Sequence, residues 1–70
     1  MSKRIRFTDF VEKEINYFLQ ECNFSEMEKE LFLLRCRHKS IIEICFAMNI
    51  SESKAGKLSN AVSKKIIKVI

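Results

Sequence analysis

The sequence predicts an all-α fold, a small domain of four helices, and three observations indicate it. The 70 residues contain no proline and one glycine, so the chain lacks the turn residues that hairpins and bulges need. Apolar residues recur at spacings of three and four, as on the buried face of a helix. Three serines precede such stretches, at positions where serine caps a helix. A chain this short forms one core, so we expect a single domain over residues 1–70.

The first helix is predicted over residues 8–22, with Thr8 as its N-cap, after a basic arm at residues 1–6. This arm is expected either to contact phosphate groups, as basic arms do, or to be a frayed terminus. Asn23 tolerates the left-handed conformation that ends a helix. The inward face of the helix is predicted to comprise Phe10, Val11, Ile15, Phe18, Leu19 and Cys22.

The second helix is predicted over residues 25–37. It opens with a capping box, in which the Ser25 side chain accepts a backbone N–H and Glu28 reaches back to the cap residue. Its inward residues are expected to be Met27, Leu31 and Leu34, with Phe32 as a further candidate.

The third and fourth helices are predicted over residues 41–48 and 52–68. Ser40 and Glu43 form a second capping box, Asn49 suits the turn, and Ser51 caps the last helix. Because only about three residues separate these helices, they must cross steeply, which predicts a tri-helical helix-turn-helix core. Ile50 is expected to plug the corner, and the buried positions of the unit are predicted to be Ile41, Ile44, Cys45, Met48, Ile50, Ala55 and Leu58.

Charge is distributed unevenly along the chain. Residues 1–34 contain five Lys or Arg and seven Asp or Glu, whereas residues 35–70 contain eight and two. The second half therefore has the positive charge that contact with phosphate requires.

Composition argues against other classes of function. There is no glycine-rich phosphate loop, no convergent carboxylate pair and one histidine, so we do not expect an enzyme. The three cysteines include no CxxC pair, and only His38 stands near Cys36, so neither a metal nor another cofactor is expected. No apolar run reaches the ~18 residues of a membrane span, and no signal-peptide core follows the start, so the expected location is cytoplasmic.

Residues 24–66 resemble the helix-turn-helix of sigma factor region 4 and of LuxR-type response regulators. The resemblance rests on FS at residues 24–25, LR at 34–35, SIIEI at 40–44, MNISES at 48–53 and KKI at 64–66. It implies that the helix after the turn enters the major groove of double-stranded DNA. The implied base and phosphate contacts are Ser51, Ser53, Lys54, Lys57 and Asn60, flanked by backbone contacts from Arg35, Arg37 and Lys39 and, farther along, Lys64 and Lys65.

The sequence departs from the family pattern at several positions. Ala55 stands where a β-branched residue is usual, and Cys45 and Asn49 where a small residue and glycine are usual. Gly56 replaces a long polar or basic residue, costs about 1 kcal/mol inside a helix, and removes a side chain from the reading face. Base readout is therefore expected to be weak or concentrated in few residues.

Apolar residues at two places are more numerous than the core of a monomer requires. Ile42 and Phe46 occupy positions that the family leaves polar, and we expect the first helix, a second copy of the protein or another partner to cover them. The C-terminal end is apolar over more than one face, which predicts a homodimer there, with terminal core packing as the alternative. The expected interface residues at this end are Ile66, Ile67 and Ile70.

The function expected from these features is sequence-specific binding of double-stranded DNA by a small transcriptional regulator. The alternative is a protein-interaction module that binds RNA polymerase or a sigma factor, or a homo-oligomeric adaptor, and that keeps the fold without reading DNA. Gly56, Ile42 and Phe46 favour the alternative.

Overall fold

Four α-helices follow one another in the computed structural model, which describes residues 10–70. The all-α prediction is confirmed, since these residues contain four helices and no strand. Within this part of the chain, no helix combines the length and apolarity needed to cross a membrane. The helices are α1 (Glu12–Glu21), α2 (Glu26–Cys36), α3 (Ile41–Met48) and α4 (Glu52–Val69).

The three predicted serine caps are present. The Ser25 Oγ accepts the backbone N–H of Glu28 at 3.3 Å, and Glu28 Oε1 accepts the N–H of Ser25 at 2.9 Å. The same reciprocal pair joins Ser40 and Glu43, with both distances 3.2 Å. Ser51 Oγ accepts the N–H of Lys54 at 3.2 Å and so begins α4. Each cap satisfies donors that would otherwise lack a partner at the start of a helix.

The first helix begins later than predicted. Thr8 and the basic arm at residues 1–6 lie outside the described residues, and α1 starts at Glu12 after Val11, whose backbone is extended (φ −85°, ψ 166°). Valine has no side-chain acceptor, so only half of a capping box forms, with Glu14 Oε1 accepting the Val11 N–H at 3.1 Å. Phe10 therefore precedes the helix, although it packs against the core.

Left-handed backbone ends three of the helices. Asn23 (φ 52°) adopts it as predicted, and Asn49 (φ 56°), expected only to suit the turn, adopts it too, because asparagine tolerates this conformation. His38 (φ 66°), in the turn between α2 and α3, adopts it as well. These residues redirect the chain without glycine.

The core forms where α2 and α4 pack against each other. Both helices also contact α1 and α3, whereas α1 and α3 do not pack together in the described part of the chain. Phe32 on α2 is the largest fully buried side chain, and its ring lies 5.1 Å from that of Phe24 and 6.3 Å from that of Phe18. Because three helices surround α2, its buried surface is wider than one face, which explains why Phe32 is as buried as Leu31.

One alternative for the apolar residues is excluded, and one expectation about them is wrong. The first helix does not cover Ile42 and Phe46, because α1 packs on α2 and α4 and leaves these side chains 60% and 84% exposed. Ile66 is not available as an interface residue, since it is fully buried in the core beside Val62. The alternative of terminal core packing therefore applies to Ile66, while Ile67 and Ile70 remain 50% and 72% exposed.

An ion pair joins α2 to α4. Lys65 Nζ lies 2.6 Å from Glu28 Oε1 and 3.3 Å from the carbonyl oxygen of Asn23. Glu28 is only 8% exposed, and its carboxylate accepts both this ammonium group and the N–H of Ser25. The hydrogen bond from Lys65, and after it the one from Ser25, holds the pKa of Glu28 below its ordinary value.

Removing the charge of Glu28 is expected to make the domain less stable and less sensitive to acid. The unfolded chain titrates at the ordinary glutamate pKa of about 4.3 and binds the proton more tightly than the folded chain. The stabilisation from Glu28 is therefore fully present above that pKa and is lost as the pH falls through the lower pKa of the folded state. Glu28→Gln should lower the free energy of unfolding at neutral pH by about 1–2 kcal/mol, measured by urea denaturation at several pH values.

Glu43→Gln serves as the matched control, because Glu43 occupies the same capping position on α3 in exposed surroundings. Its effect at neutral pH should be smaller, since exposed ion pairs contribute little. Equal effects of the two substitutions would contradict a special role for the Glu28–Lys65 pair.

Gly56 has no packing reason to be glycine. It lies in the interior of α4, and a Cβ added there would meet no atom within 4 Å. Gly56→Ala should therefore raise the free energy of unfolding by about 1 kcal/mol, because alanine loses less backbone entropy in a helix. Thermal denaturation should show an increase in Tm of about 4–8 °C. A lower Tm would contradict the open surroundings of Gly56.

Candidate nucleic-acid interface

The connection between α3 and α4 consists of residues 49–51. Asn49 ends α3 in the left-handed conformation (φ 56°, ψ 51°), and the N–H of Ile50 donates to the carbonyl oxygen of Cys45 at 3.0 Å. Ile50 is half-buried and packs against the core, and Ser51 then caps α4. Because α3 and α4 also pack against each other, this short connection holds the start of α4 in a defined position.

Burial sets the rotation of α4 about its own axis. Ala55, Val62 and Ile66 are fully buried, and they recur at helical spacing on one face. The side chains on the opposite face are exposed and follow one another at spacings of four, three and four residues. These exposed residues form what we call the outer ridge of α4: Ser53, Lys57, Asn60 and Lys64.

An open groove of about 450 Å³ lies beside the outer ridge at the start of α4. It is lined by Ser51, Ser53, Lys54, Lys57 and Leu58, so two ammonium groups and two hydroxyl groups border it. The acidic residue of the first turn, Glu52, lines a different recess on the α3 side of the helix. The lysine groove therefore has the donors and the positive charge that suit an anionic oxygen.

No carboxylate among residues 10–70 neutralises the lysines of this surface. Ion pairs within residues 10–70 involve Lys39 and Lys65, and none involves Lys54, Lys57 or Lys64. Among the residues that line the groove, Ser51 already uses its Oγ to accept the N–H of Lys54. Its hydroxyl proton can still be donated to a ligand. The surface thus presents unpaired positive charge to solvent.

The predicted flanking contacts lie on a different part of the fold. Arg35 is half-buried near the end of α2, while Arg37 and Lys39 are exposed in the connection to α3. Lys39 Nζ lies 3.8 Å from Glu43 Oε2. The pKa of Glu43 is lowered chiefly by the N–H of Ser40 and less by Lys39, so this exposed pair leaves Lys39 available to another anion.

The structure changes which lysines at the end of α4 are exposed on the outer ridge. Lys65 was expected beside Lys64 as a backbone contact, which is wrong, because its ammonium group is bound to Glu28 and Asn23. Lys68 was not singled out, yet it is exposed and follows Lys64 by four residues, so it extends the outer ridge. The spacing of four residues from Lys64 is the sequence feature that could have identified Lys68.

The cysteines behave as apolar side chains. Cys22 is buried, and Cys36 and Cys45 are half-buried and packed against the core. Burial raises the pKa of Cys36 to about 11 and also raises that of Cys22, so both thiols stay protonated at neutral pH. Among the described residues, no three His, Cys, Asp or Glu side chains gather in a group that could hold a metal ion.

Comparison with models of protein families, with curated proteins and with solved structures gave no significant match to this chain. The function is therefore inferred from the chemistry of its own surfaces.

Proposed function

We propose that the protein binds double-stranded DNA by placing α4 in the major groove, with α3, the turn and α4 acting as a helix-turn-helix. The observation that carries the proposal is the exposed and uncompensated outer ridge of α4, with Lys54 beside it. The resemblance to sigma factor region 4 and LuxR-type regulators supports it. The corresponding biological role is that of a small transcriptional regulator.

The dimensions of α4 suit this arrangement. Its 18 residues make a rod about 27 Å long, and a major groove about 12 Å wide admits an α-helix. Two turns therefore span the groove, and the remaining turns extend beyond it along the phosphates. The exposed side chains of residues 51–60 would enter the groove, and Lys64 and Lys68 would contact the sugar-phosphate backbone.

Each side chain has a role set by its chemistry. Asn60 can form two hydrogen bonds with an adenine, and Lys57 can donate to guanine or to a phosphate. Lys54 and the Ser51 and Ser53 hydroxyls border the groove that would take a phosphate oxygen. With Gly56 contributing no side chain, base reading falls mainly on Lys57 and Asn60.

Electrostatics favour the same face. The basic half of the chain contains α3 and α4, whose first turns have one acidic residue each, whereas the first turns of α1 and α2 have two each. Contact of Arg37 and the α4 lysines with phosphates would release counterions, which makes the affinity fall as salt rises.

The second candidate is a protein-interaction module that binds RNA polymerase, a sigma factor or another copy of itself without reading DNA. The exposure of Ile42 and Phe46 is the observation that favours it. The two candidates use different surfaces, and charge reversal on α4 separates them.

Reversing the charge of Lys54 and Lys57 should weaken DNA binding strongly. In fluorescence anisotropy titrations with a mixed-sequence duplex between about 50 and 200 mM salt, the unaltered protein should bind with steep salt dependence. Lys54→Glu combined with Lys57→Glu should weaken binding by about tenfold or more and lower the slope of log affinity against log salt by about 0.9 per lost phosphate contact.

The matched control is Lys13→Glu combined with Lys29→Glu, which makes the same change in net charge at exposed positions of α1 and α2. It should retain most of the affinity. Loss of binding to the same extent in both double variants, or no salt-sensitive binding by the unaltered protein, would refute the proposal.

Asn60→Ala should remove sequence preference without harming the fold. Alanine is the better helix former, so the variant should be at least as stable. On duplexes selected from a random pool by the unaltered protein, affinity should fall about tenfold to a hundredfold, while affinity for random duplexes should change little. Asn16→Ala, at an exposed position of α1, is the control and should bind both kinds of duplex normally. An unchanged preference in Asn60→Ala would exclude Asn60 from base reading.

A further inference from the structure

The outer face of α3 is apolar and uncovered. Phe46 is 84% exposed and projects between two open recesses on the same face. One, of about 420 Å³, is lined by Leu34, Lys39, Glu43 and Ala47 together with Phe46 itself. The other, of about 300 Å³, is lined by Phe46, Ile42, Cys45, Asn49, Ile50 and Glu52. Exposing an aromatic ring to solvent costs free energy that contact with a partner would recover.

We propose that this face binds the same face of a second copy of the protein, with the two α3 helices antiparallel across a two-fold axis. A two-fold interface must be complementary to itself, so one patch has to contain both the protruding group and the recess that receives it. Phe46 and the recess beside Ile42 and Ile50 meet this requirement. A cavity of about 150 Å³ accommodates a benzene ring, so the recess is large enough for the ring of the partner.

The charges at the two ends of the face favour an antiparallel arrangement. Lys39 lies just before the N-terminus of α3, and Glu52 lies beyond its C-terminus, where it lines the recess next to Phe46. When the helices run in opposite directions, Lys39 of each copy approaches Glu52 of the other. A parallel arrangement would bring like charges together.

The exposed apolar residues at the end of α4 are less suited to self-association. Ile67 and Ile70 lie beside Lys64 and Lys68, and none of the ion pairs among residues 10–70 neutralises these lysines. A two-fold contact there would place cations of the two copies against each other. The homodimer expected at the C-terminal end is therefore better placed on α3.

The size of the face limits the strength of the dimer. The eight residues of α3 extend about 12 Å, so each copy buries less than the roughly 800 Å² that stable interfaces bury per partner. We therefore expect reversible association with a Kd on the order of 100 µM. The association does not depend on DNA binding and is measured without DNA.

Sedimentation equilibrium of the full chain tests the proposal at concentrations from about 10 µM to 1 mM. The apparent mass of the unaltered protein should rise towards that of a dimer, and Phe46→Glu should remain monomeric. Ile67→Glu is the matched control, because it introduces the same charge at an exposed apolar residue of α4, and it should still dimerise. Circular dichroism should show both variants folded, since neither side chain belongs to the buried core.

A charge exchange tests the antiparallel contact. Lys39→Glu and Glu52→Lys should each weaken dimerisation about two- to fivefold, and the double variant should recover it, because opposite charges then meet again. Failure of the double variant to recover would overturn the antiparallel arrangement. The proposed interface would be overturned if the unaltered protein stayed monomeric at every concentration. It would also be overturned if Phe46→Glu dimerised or if Ile67→Glu did not.

Discussion

Burial of one face of α4 is the constraint on which the other features of the structure depend. Fully burying an aliphatic side chain stabilises a fold by about 1.5–3 kcal/mol, and α4 buries both Val62 and Ile66 against the core. This exceeds the contribution expected from the Glu28–Lys65 pair, so hydrophobic packing sets the rotation of α4 and the ion pair reinforces it. Because the buried face of α4 is fixed, the opposite face must be exposed to solvent. The residues on that exposed face are Ser53, Lys57, Asn60 and Lys64.

Local features of the fold could be predicted from the sequence because their causes are local. A serine and a glutamate three residues apart determine where α2 and α3 begin, and Asn23 adopts the left-handed conformation predicted from its residue type. The start of α1 could not be found in this way, because Val11 offers no side-chain acceptor and no local signal distinguishes it from a residue inside the helix.

Tertiary features were the ones that sequence patterns missed. Lys65 and Lys64 are adjacent lysines that the sequence does not distinguish. Lys65 stabilises the fold because Glu28, 37 residues earlier in the chain, lies beside its ammonium group. Ile66 and Ile67 are adjacent isoleucines, yet Ile66 is fully buried and Ile67 is half exposed. The position of Glu28 beside Lys65 arises from how helices distant in sequence pack, which neither composition nor periodicity specifies. The outer ridge of α4 was largely predictable, since apolar periodicity indicates which face is buried and therefore which face is not.

The two proposed surfaces adjoin at the start of α4, and this makes their effects interdependent. Ser51, Lys54 and Lys57 border the groove on one side of the helix, and Glu52 faces the α3 recess on the other. If both proposals hold, a duplex with two neighbouring sites brings two copies to an effective concentration in the millimolar range, well above a Kd on the order of 100 µM. By linkage, the dimer contact then strengthens DNA binding by the same factor by which DNA strengthens the dimer. A face too small to hold a dimer in free solution is thus sufficient to make binding cooperative on DNA.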